Sequence, residues 1–305
     1  MSHSLVAPRQ FGFFYHCKAN WDNVWVRQIA PKKWNGMERK DGFRVVGEGD
    51  IYKFIFDEKE VLPVLTQLEP THIYCQEELS SLCANQCAGW AETFGAKLVY
   101  FVWENLRSER QTWTRDRADL VIAGNSEAKE LQEGHMVMPQ VGVDPQTFFL
   151  RDGPRPFDTF FASSKHTHEK GWDLYAKLPF KKLNSDGKIE YESMGALYGK
   201  SKVVVTPSRD APRWKEQFSP FANVEALMSG CNVVASDTAA MVEWLRDAPD
   251  GTVEFFEQGY YDGLERTVKH SLDNWTLDTR GRNWAIEKFG HEAVAEQLLE
   301  ALSKA

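Results

Sequence analysis

The segment 203–237, VVVTPSRDAPRWKEQFSPFANVEALMSGCNVVASD, constrains the fold of this chain more than any other. It opens with a β-branched run at 203–205 that reads as a buried strand, closed by the turn signal Thr206-Pro207-Ser208. A polar loop carrying Arg209, Asp210, Arg213, Lys215 and Glu216 follows. The spacing then predicts a helix over 221–229, stopped by Gly230 at its C-cap, and a second apolar strand over 232–235 before the Ser236-Asp237 turn. Strand, charged loop, helix, strand is a βαβ unit. Its polar groups gather where a strand ends and a helix begins, the edge at which open α/β sheets bind ligands.

Two carboxylates, Glu216 and Glu225, bracket the start of that helix, with cationic side chains just upstream. Such a set can hold a polyhydroxyl group through the carboxylates and an anion through the cations. A solvated loop with one glutamate favoured by the helix dipole accounts for the same pattern equally well.

The wording PSR…WKEQF…EALMSGCNVVASD resembles the donor-binding core of the retaining family 4 glycosyltransferases, which have the GT-B fold. In that family a Glu, seven intervening residues and a second Glu precede a small-residue turn and a Val-Val strand. Two further stretches match in the same order. AGNSEAKELQEGHMVMPQVGVDPQTFF (123–149) is similar to the family's interdomain segment with its GVD…F ending, and FFASSKHTHEKGWDLYAKL (160–178) resembles the first strand and helix of its C-terminal domain, with Lys170-Gly171 in place. ADLVIAG (118–124) and FVWEN (101–105) match less sharply. The resemblance covers about residues 98–245, is strongest over 206–237 and is weak at the N-terminus.

The resemblance implies an α/β chain of two Rossmann-like domains facing a central cleft, with a C-terminal helix crossing back onto the first domain. It also implies transfer of a hexosyl group from a nucleoside-diphosphate sugar to an acceptor hydroxyl with retention of configuration. The usual proposal there is a front-face mechanism in which the leaving phosphate assists deprotonation of the acceptor.

With 305 residues, 42% of them hydrophobic, the chain can bury two cores. The net charge of −8 argues against an ordinary nucleic-acid protein, although net charge does not report where the charges lie. MSHSLVAPRQ has no charged segment followed by an apolar one, so no signal peptide is expected. No run reaches the roughly 18 apolar residues of a membrane span. A cytoplasmic location, peripheral at a membrane face at most, fits. Five cysteines, Cys17, Cys75, Cys83, Cys87 and Cys231, are odd in number and scattered. Cys83 and Cys87 have one-turn helix spacing, but no histidine or further cysteine pair accompanies them as zinc would require. Buried free thiols and no metal site are expected.

Along the first half, strands are expected at 11–16 (FGFFYH), 45–46, 52–56, 72–75, 97–103 and 120–123, with helices at 60–68 and 77–95. Alternation of this kind argues for a parallel sheet covered on both faces. The stretch 152–156 (DGPRP) reads as a linker. An N-terminal acceptor domain is expected over 1–150, completed by a helix over about 285–305. A nucleotide-sugar domain is expected over 157–284, restarting with a strand at 159–162. Residues 179–202 look too short for the family's next strand and helix, so this second domain is expected to be shortened. The tail at 283–302 has an amphipathic helical pattern.

Lys170 lies at the apparent start of a helix, where an ammonium and free backbone N–H groups both favour a diphosphate; a solvated lysine is the plainer alternative. In the family a basic residue just after the first C-domain strand partners this lysine. Here the position falls in Ala162-Ser163-Ser164-Lys165, so Lys165 or the serines, Ser163 among them, take its place. Glu225 matches the family's second Glu, whose carboxylate accepts hydrogen bonds from the ribose hydroxyls. Strict spacing counted back from Glu225 lands on Gln217. Either Gln217 faces the donor sugar, or Glu216 does with one residue inserted around Ser219-Pro220. Arg209 and Lys215 are candidates for phosphate or sugar, or charges of a solvated loop. The backbone N–H groups of Phe221, Ala222 and Asn223 are candidates for the distal phosphate, whereas Pro220 has none to give.

On the acceptor side, His16 is expected at the end of the first strand, either touching the acceptor or satisfied by backbone. Glu104 is expected at the end of another, placed to bind an acceptor hydroxyl or take its proton. No D-x-D tripeptide occurs, so cations and a helix dipole are expected to stabilise the leaving diphosphate without a metal, and no cofactor is expected beyond the UDP- or GDP-type co-substrate. The acceptor is a glycan, a lipid-linked sugar or another hydroxyl; glycosylation of modified nucleic acid is disfavoured by the acidic charge. A catalytically degraded sugar-nucleotide-binding scaffold is the rival from another class. A Rossmann dehydrogenase is set aside because Gly47-Glu48-Gly49 lacks the third glycine of the fingerprint.

Overall fold

The computed structural model describes residues 1–2, 8–22, 24–105, 112–163, 165–185, 189–210, 221–277 and 279–305. By internal packing the chain divides into two compact units, Met1–Val141 together with Ala295–Ala305, and Gly142–Val294.

Unit 1 begins with helix α1 (Pro8–Asn20), followed by two small antiparallel ribbons, β1 (Lys33–Trp34) with β2 (Met37–Glu38) and β3 (Val45–Val46) with β4 (Ile55–Phe56). Helix α2 (Glu58–Leu68) leads to a four-stranded sheet of β5 (His72–Cys75), β6 (Lys97–Val102), β7 (Leu120–Ala123) and β8 (Met136–Val137), in that spatial order and parallel throughout. Three helices lie along the chain between these strands: α3 (Leu82–Phe94), α4 (Thr112–Arg115) and α5 (Ser126–Leu131). The parallel sheet follows from the sequence physics. Residues 98–102 of β6 and all of β7 are buried, the both-faces-covered pattern that crossover helices produce.

The first strand expected from the sequence, 11–16, is instead part of α1. Gln10, Phe13, Phe14 and Cys17 are buried while Tyr15, Lys18 and Ala19 are exposed, which is a helical spacing rather than an alternation. Pro8 at the first helical position suits that start. The helix expected from residue 77 begins only at Leu82. Ser81 is the N-cap, its hydroxyl accepting from the Ala84 N–H at 3.0 Å, and Gly95 ends the helix in the left-handed region at φ 63°. Residues 76–81 are thereby released as a loop at the C-terminal edge of the sheet. Of the expected strand 52–56, only Ile55 and Phe56 pair.

Unit 2 is built on a five-stranded parallel sheet in the order β10 (Lys182–Asn184), β9 (Phe157–Phe161), β11 (Ser201–Thr206), β12 (Asn232–Ser236), β13 (Val253–Phe256). Its helices are α6 (Trp172–Tyr175), α7 (Tyr191–Tyr198), α8 (Phe221–Met228), α9 (Ala239–Leu245), α10 (Tyr261–Asp273) and α11 (Arg280–Phe289). Helix α12 (His291–Lys304) passes from unit 2 into unit 1, where His72 Nε2 lies 3.1 Å from the Leu302 carbonyl oxygen. Phe161, Tyr175, Val203, Val205, Val234, Phe256, Leu264 and Val268 pack into one core on one face of the sheet. The expected loss of an element from 179–202 does not hold: β10 and α7 both lie in that stretch.

The polar stretch 152–156 lies inside unit 2, and Arg155 is buried there. Its Nη1 donates to the carbonyls of Tyr198 (3.3 Å) and Ser201 (2.7 Å) and to Cys231 Sγ (3.3 Å), and its Nη2 donates to the Ser229 carbonyl at 2.6 Å. One guanidinium thus ties the end of α7, the start of β11 and the end of α8. Among the described residues, no helix is long and apolar enough to cross a membrane.

Candidate functional site

In unit 2 the C-terminal ends of β9 and β11 are neighbours, because the two strands pair in parallel register with Val204 opposite Phe160. The loops that leave them therefore meet. The Arg209 N–H donates to the Glu169 carbonyl at 2.8 Å. Gly171 adopts φ +72°, and a Cβ there would lie 1.9 Å from the Pro207 carbonyl oxygen. Only glycine fits this crossing, which brings Lys170 beside the Thr206-Pro207-Ser208 turn.

The Lys170 helix expected from the sequence is reduced to a single turn, Trp172–Tyr175, with Gly171 as its N-cap. So short a helix carries little dipole, and the case for anion binding at Lys170 falls back on its ammonium. Ser163 Oγ is used locally: it donates to the Lys165 carbonyl at 3.1 Å and accepts from the Lys165 N–H at 3.2 Å, leaving the Lys165 side chain exposed. Arg209 is engaged as well. Its Nη1 and Nη2 donate to the two oxygens of Asp173 at 2.7 and 2.9 Å, and Nη1 also donates to the His168 carbonyl at 2.9 Å. This fork holds the Asp173 carboxyl below the usual carboxylate range.

Glu225 lies on α8, eight residues that are buried apart from Ala222. At 2% exposure its carboxylate is satisfied inside the protein: Tyr198 donates to Oε2 at 3.0 Å and Tyr191 donates to Oε1 at 3.3 Å. Tyr191 and Tyr198 sit two turns apart on α7, on one face, and both rings pack edge-on against Phe148. The sequence reading missed these tyrosines, although their spacing was a usable signal. Phe221, Ala222 and Asn223 form the first turn of α8, as expected. Around this edge, three buried oxygens have no hydrogen-bond partner among the described residues: Thr206 Oγ1 at the end of β11, Asn223 Oδ1 in α8 and Thr238 Oγ1 after β12. Buried polar atoms are rarely left so. Lys215, Glu216 and Gln217 lie outside the described residues.

In unit 1 the C-terminal edge of the sheet carries a carboxyl group on each of two neighbouring strand ends. Glu104 follows β6 and accepts a hydrogen bond from the Tyr52 hydroxyl. Burial raises its pKa above the ordinary value, opposed by that hydrogen bond. Glu78, in the loop after β5, accepts from the backbone N–H groups of Trp103 (2.8 Å) and Glu104 (3.1 Å) and from Gln132 Nε2 (3.2 Å). Burial, then the Glu104 charge, pushes its pKa well up. A carboxylate with raised proton affinity at a sheet edge suits proton abstraction from a hydroxyl. His16 is not at this edge by way of a strand. It is on α1, a helix and not the expected strand, its Nδ1 3.2 Å from Asn20 Nδ2.

No protein-family model and no curated protein matches the chain. Solved structures do. The chain is similar to sucrose-phosphate synthase from Thermosynechococcus elongatus over 97% of its own length and 92% of that chain, with a TM-score of 0.66 at 14% identity. It is similar to HepE of Anabaena in complex with UDP-glucose over 80% and 82%, with a TM-score of 0.58 at 16% identity. A glycosyltransferase from Rickettsia africae matches over 81% and 79%, with a TM-score of 0.62 at 13% identity. At these identities the likeness is one of fold. The chain has the α/β GT-B fold of the retaining family 4 glycosyltransferases, and the family resemblance carried by its motifs holds at that level.

Proposed function

We propose that the chain transfers a hexosyl group from a nucleoside-diphosphate sugar, a UDP-sugar by preference, to an acceptor hydroxyl with retention of configuration. The observation that carries this reading is the C-terminal edge of the unit 2 sheet, where a buried carboxylate, Glu225, lies on the helix that follows β11, and where the Arg209 N–H after that strand bonds the Glu169 carbonyl next to Lys170. That edge belongs to a fold for which HepE is known in complex with UDP-glucose.

In this reading Glu225 accepts from the ribose hydroxyls, Lys170 and the first N–H groups of α8 neutralise the diphosphate, and Glu216 or Gln217 holds the donor sugar. The acceptor oxygen attacks the anomeric carbon as the bond to the phosphate oxygen breaks. The acceptor proton leaves to the phosphate, and the bonding pair leaves with the nucleoside diphosphate. Charge on the leaving group is borne by cations and backbone dipoles, without a metal. Arg209 enters only by exchanging Asp173 for phosphate. Glycans, lipid-linked sugars and modified nucleic acid remain the candidate acceptors.

A second reading, nucleotide-sugar binding without turnover, draws on the same geometry. Arg209 and Glu225 both have internal partners, Asp173 and the two α7 tyrosines. A thermal-shift screen of UDP- and GDP-sugars, followed by donor hydrolysis assays, separates the two. A donor that raises the Tm in proportion to the logarithm of its concentration and is turned over supports the transferase. Binding without hydrolysis or transfer for any donor favours the scaffold, and no shift with any donor removes both.

A further inference from the structure

The five cysteines read as scattered free thiols in the sequence, yet the fold gathers three of them. Cys75 is the last residue of β5, and Cys83 and Cys87 are one turn apart on α3, so both helix positions face the strand. All three are fully buried, and their sulfur atoms lie within 4.8 Å of one another. All three are free thiols. The Cys83–Cys87 spacing supplied two of the three in the sequence; the third comes from a strand that only the β–α packing brings over the helix.

We propose that Cys75, Cys83 and Cys87 form a binding site for a single soft monovalent cation, Cu(I), held by three thiolates. A metal at the thiolate bond length of about 2.3 Å in a trigonal plane separates its sulfurs by roughly 4 Å, so the side chains need only a small inward adjustment. The donor set is entirely soft. Among the described residues no histidine or carboxylate joins the group, which disfavours the hard cations Mg2+, Ca2+ and Mn2+. It also leaves Zn2+ without the fourth ligand of its structural sites. The Met1 thioether lies 3.6 Å from Cys87 Sγ and offers the weak sulfur contact that Cu(I) accepts. Cys75 and Cys83 stand on either side of the loop 76–81, so a bound ion clips together both ends of the segment that carries Glu78.

Anaerobic competition of the full-length reduced chain against the Cu(I)–bicinchoninate complex tests this, with loading attempted both on the folded chain and during refolding to allow for burial of the site. One Cu(I) per chain should be withdrawn. Cys83→Ser and Cys87→Ser should each weaken uptake at least 100-fold, while Cys17→Ser and Cys231→Ser, buried thiols outside the cluster, should leave it unchanged. Circular dichroism of each variant separates loss of a ligand from loss of fold. Failure of the wild-type chain to withdraw Cu(I) under either loading regime overturns the site. So does equal uptake by a folded Cys87→Ser variant. Binding of Zn2+ in preference to Cu(I) overturns the three-coordinate assignment.

Discussion

Tyr198 donates its hydroxyl hydrogen to Glu225 Oε2 at 3.0 Å, two turns along α7 from Tyr191, which reaches the other carboxylate oxygen at 3.3 Å. The pair fixes the plane of a buried carboxylate without neutralising it. It also links α7 to α8, the two helices that flank β11 in the chain. Tyr198→Phe removes one donor at almost constant volume and should cost about 1.5–3 kcal/mol of unfolding free energy, the range for a hydrogen bond to a charged group. Urea denaturation measures the stability. Titration with UDP measures the function, and the looser carboxylate should weaken binding several-fold. Unchanged UDP affinity in a folded Tyr198→Phe variant would remove Glu225 from the nucleotide site.

Gly171→Ala should be among the most damaging alanine substitutions in unit 2. Its φ of +72° is costly for an L-residue, and the new methyl would collide with the Pro207 carbonyl at 1.9 Å. Together these should cost about 2–4 kcal/mol. Gly251 provides the control: it has φ +80° but nothing within 4 Å of an added Cβ, so Gly251→Ala should cost only about 1–2 kcal/mol. Thermal unfolding of the two variants side by side checks the difference. Equal losses would mean that the Lys170 and Pro207 loops are not pressed together.

Arg155→Met should destabilise unit 2 by about 3 kcal/mol or more, because the Tyr198, Ser201 and Ser229 carbonyls lose a charged donor in a dry site. Arg155→Lys should rescue little of this, since a single ammonium cannot replace a planar fork that reaches three elements. Chemical denaturation of both variants tests it; near-full stability of the lysine variant would contradict the fork.

Glu78 gives a prediction in pH. Burial and the Glu104 charge raise its folded-state pKa above the unfolded value, so its protonated form favours folding. That contribution is fully present below the ordinary glutamate pKa of about 4.3 and is lost as pH rises through the raised folded value. Glu78→Gln removes the titration. Relative to wild type the variant should gain stability between pH 4.5 and 8, by about 1.4 kcal/mol for each unit of pKa difference. Urea melts at pH 4.5, 6 and 8 would show it, and a stability difference that does not change with pH would refute it.

Much of the fold was legible in the sequence because its signals are local. The apolar runs 97–103, 120–123, 203–205 and 232–235 became β6, β7, β11 and β12, and Gly230, at φ +76°, follows α8 where the helix was expected to stop. Residues 11–16 were misread because a short apolar run satisfies strand and helix patterns alike until its buried face is known. The one-turn α6 and the late start of α3 depended on where the Pro207 carbonyl and the Ser81 hydroxyl came to rest, and neither is a matter of periodicity.

By itself, then, the sequence determined that this chain alternates buried strands with helices, that Arg209 and Glu104 fall just beyond strand ends, and that Lys170 and Glu225 fall on the loop and the helix that follow such ends. Spacing along a chain reports which side chains share a face, so it can place a residue on an edge. The partner across that edge depends on which strands become neighbours, and that is a property of the assembled sheet. Tertiary structure alone decided that Asp173 holds Arg209, that two tyrosines hold Glu225, and that a strand cysteine completes a trio begun on a helix. Each of these is an interaction between elements joined by a crossover, where the register of packing sets the distance.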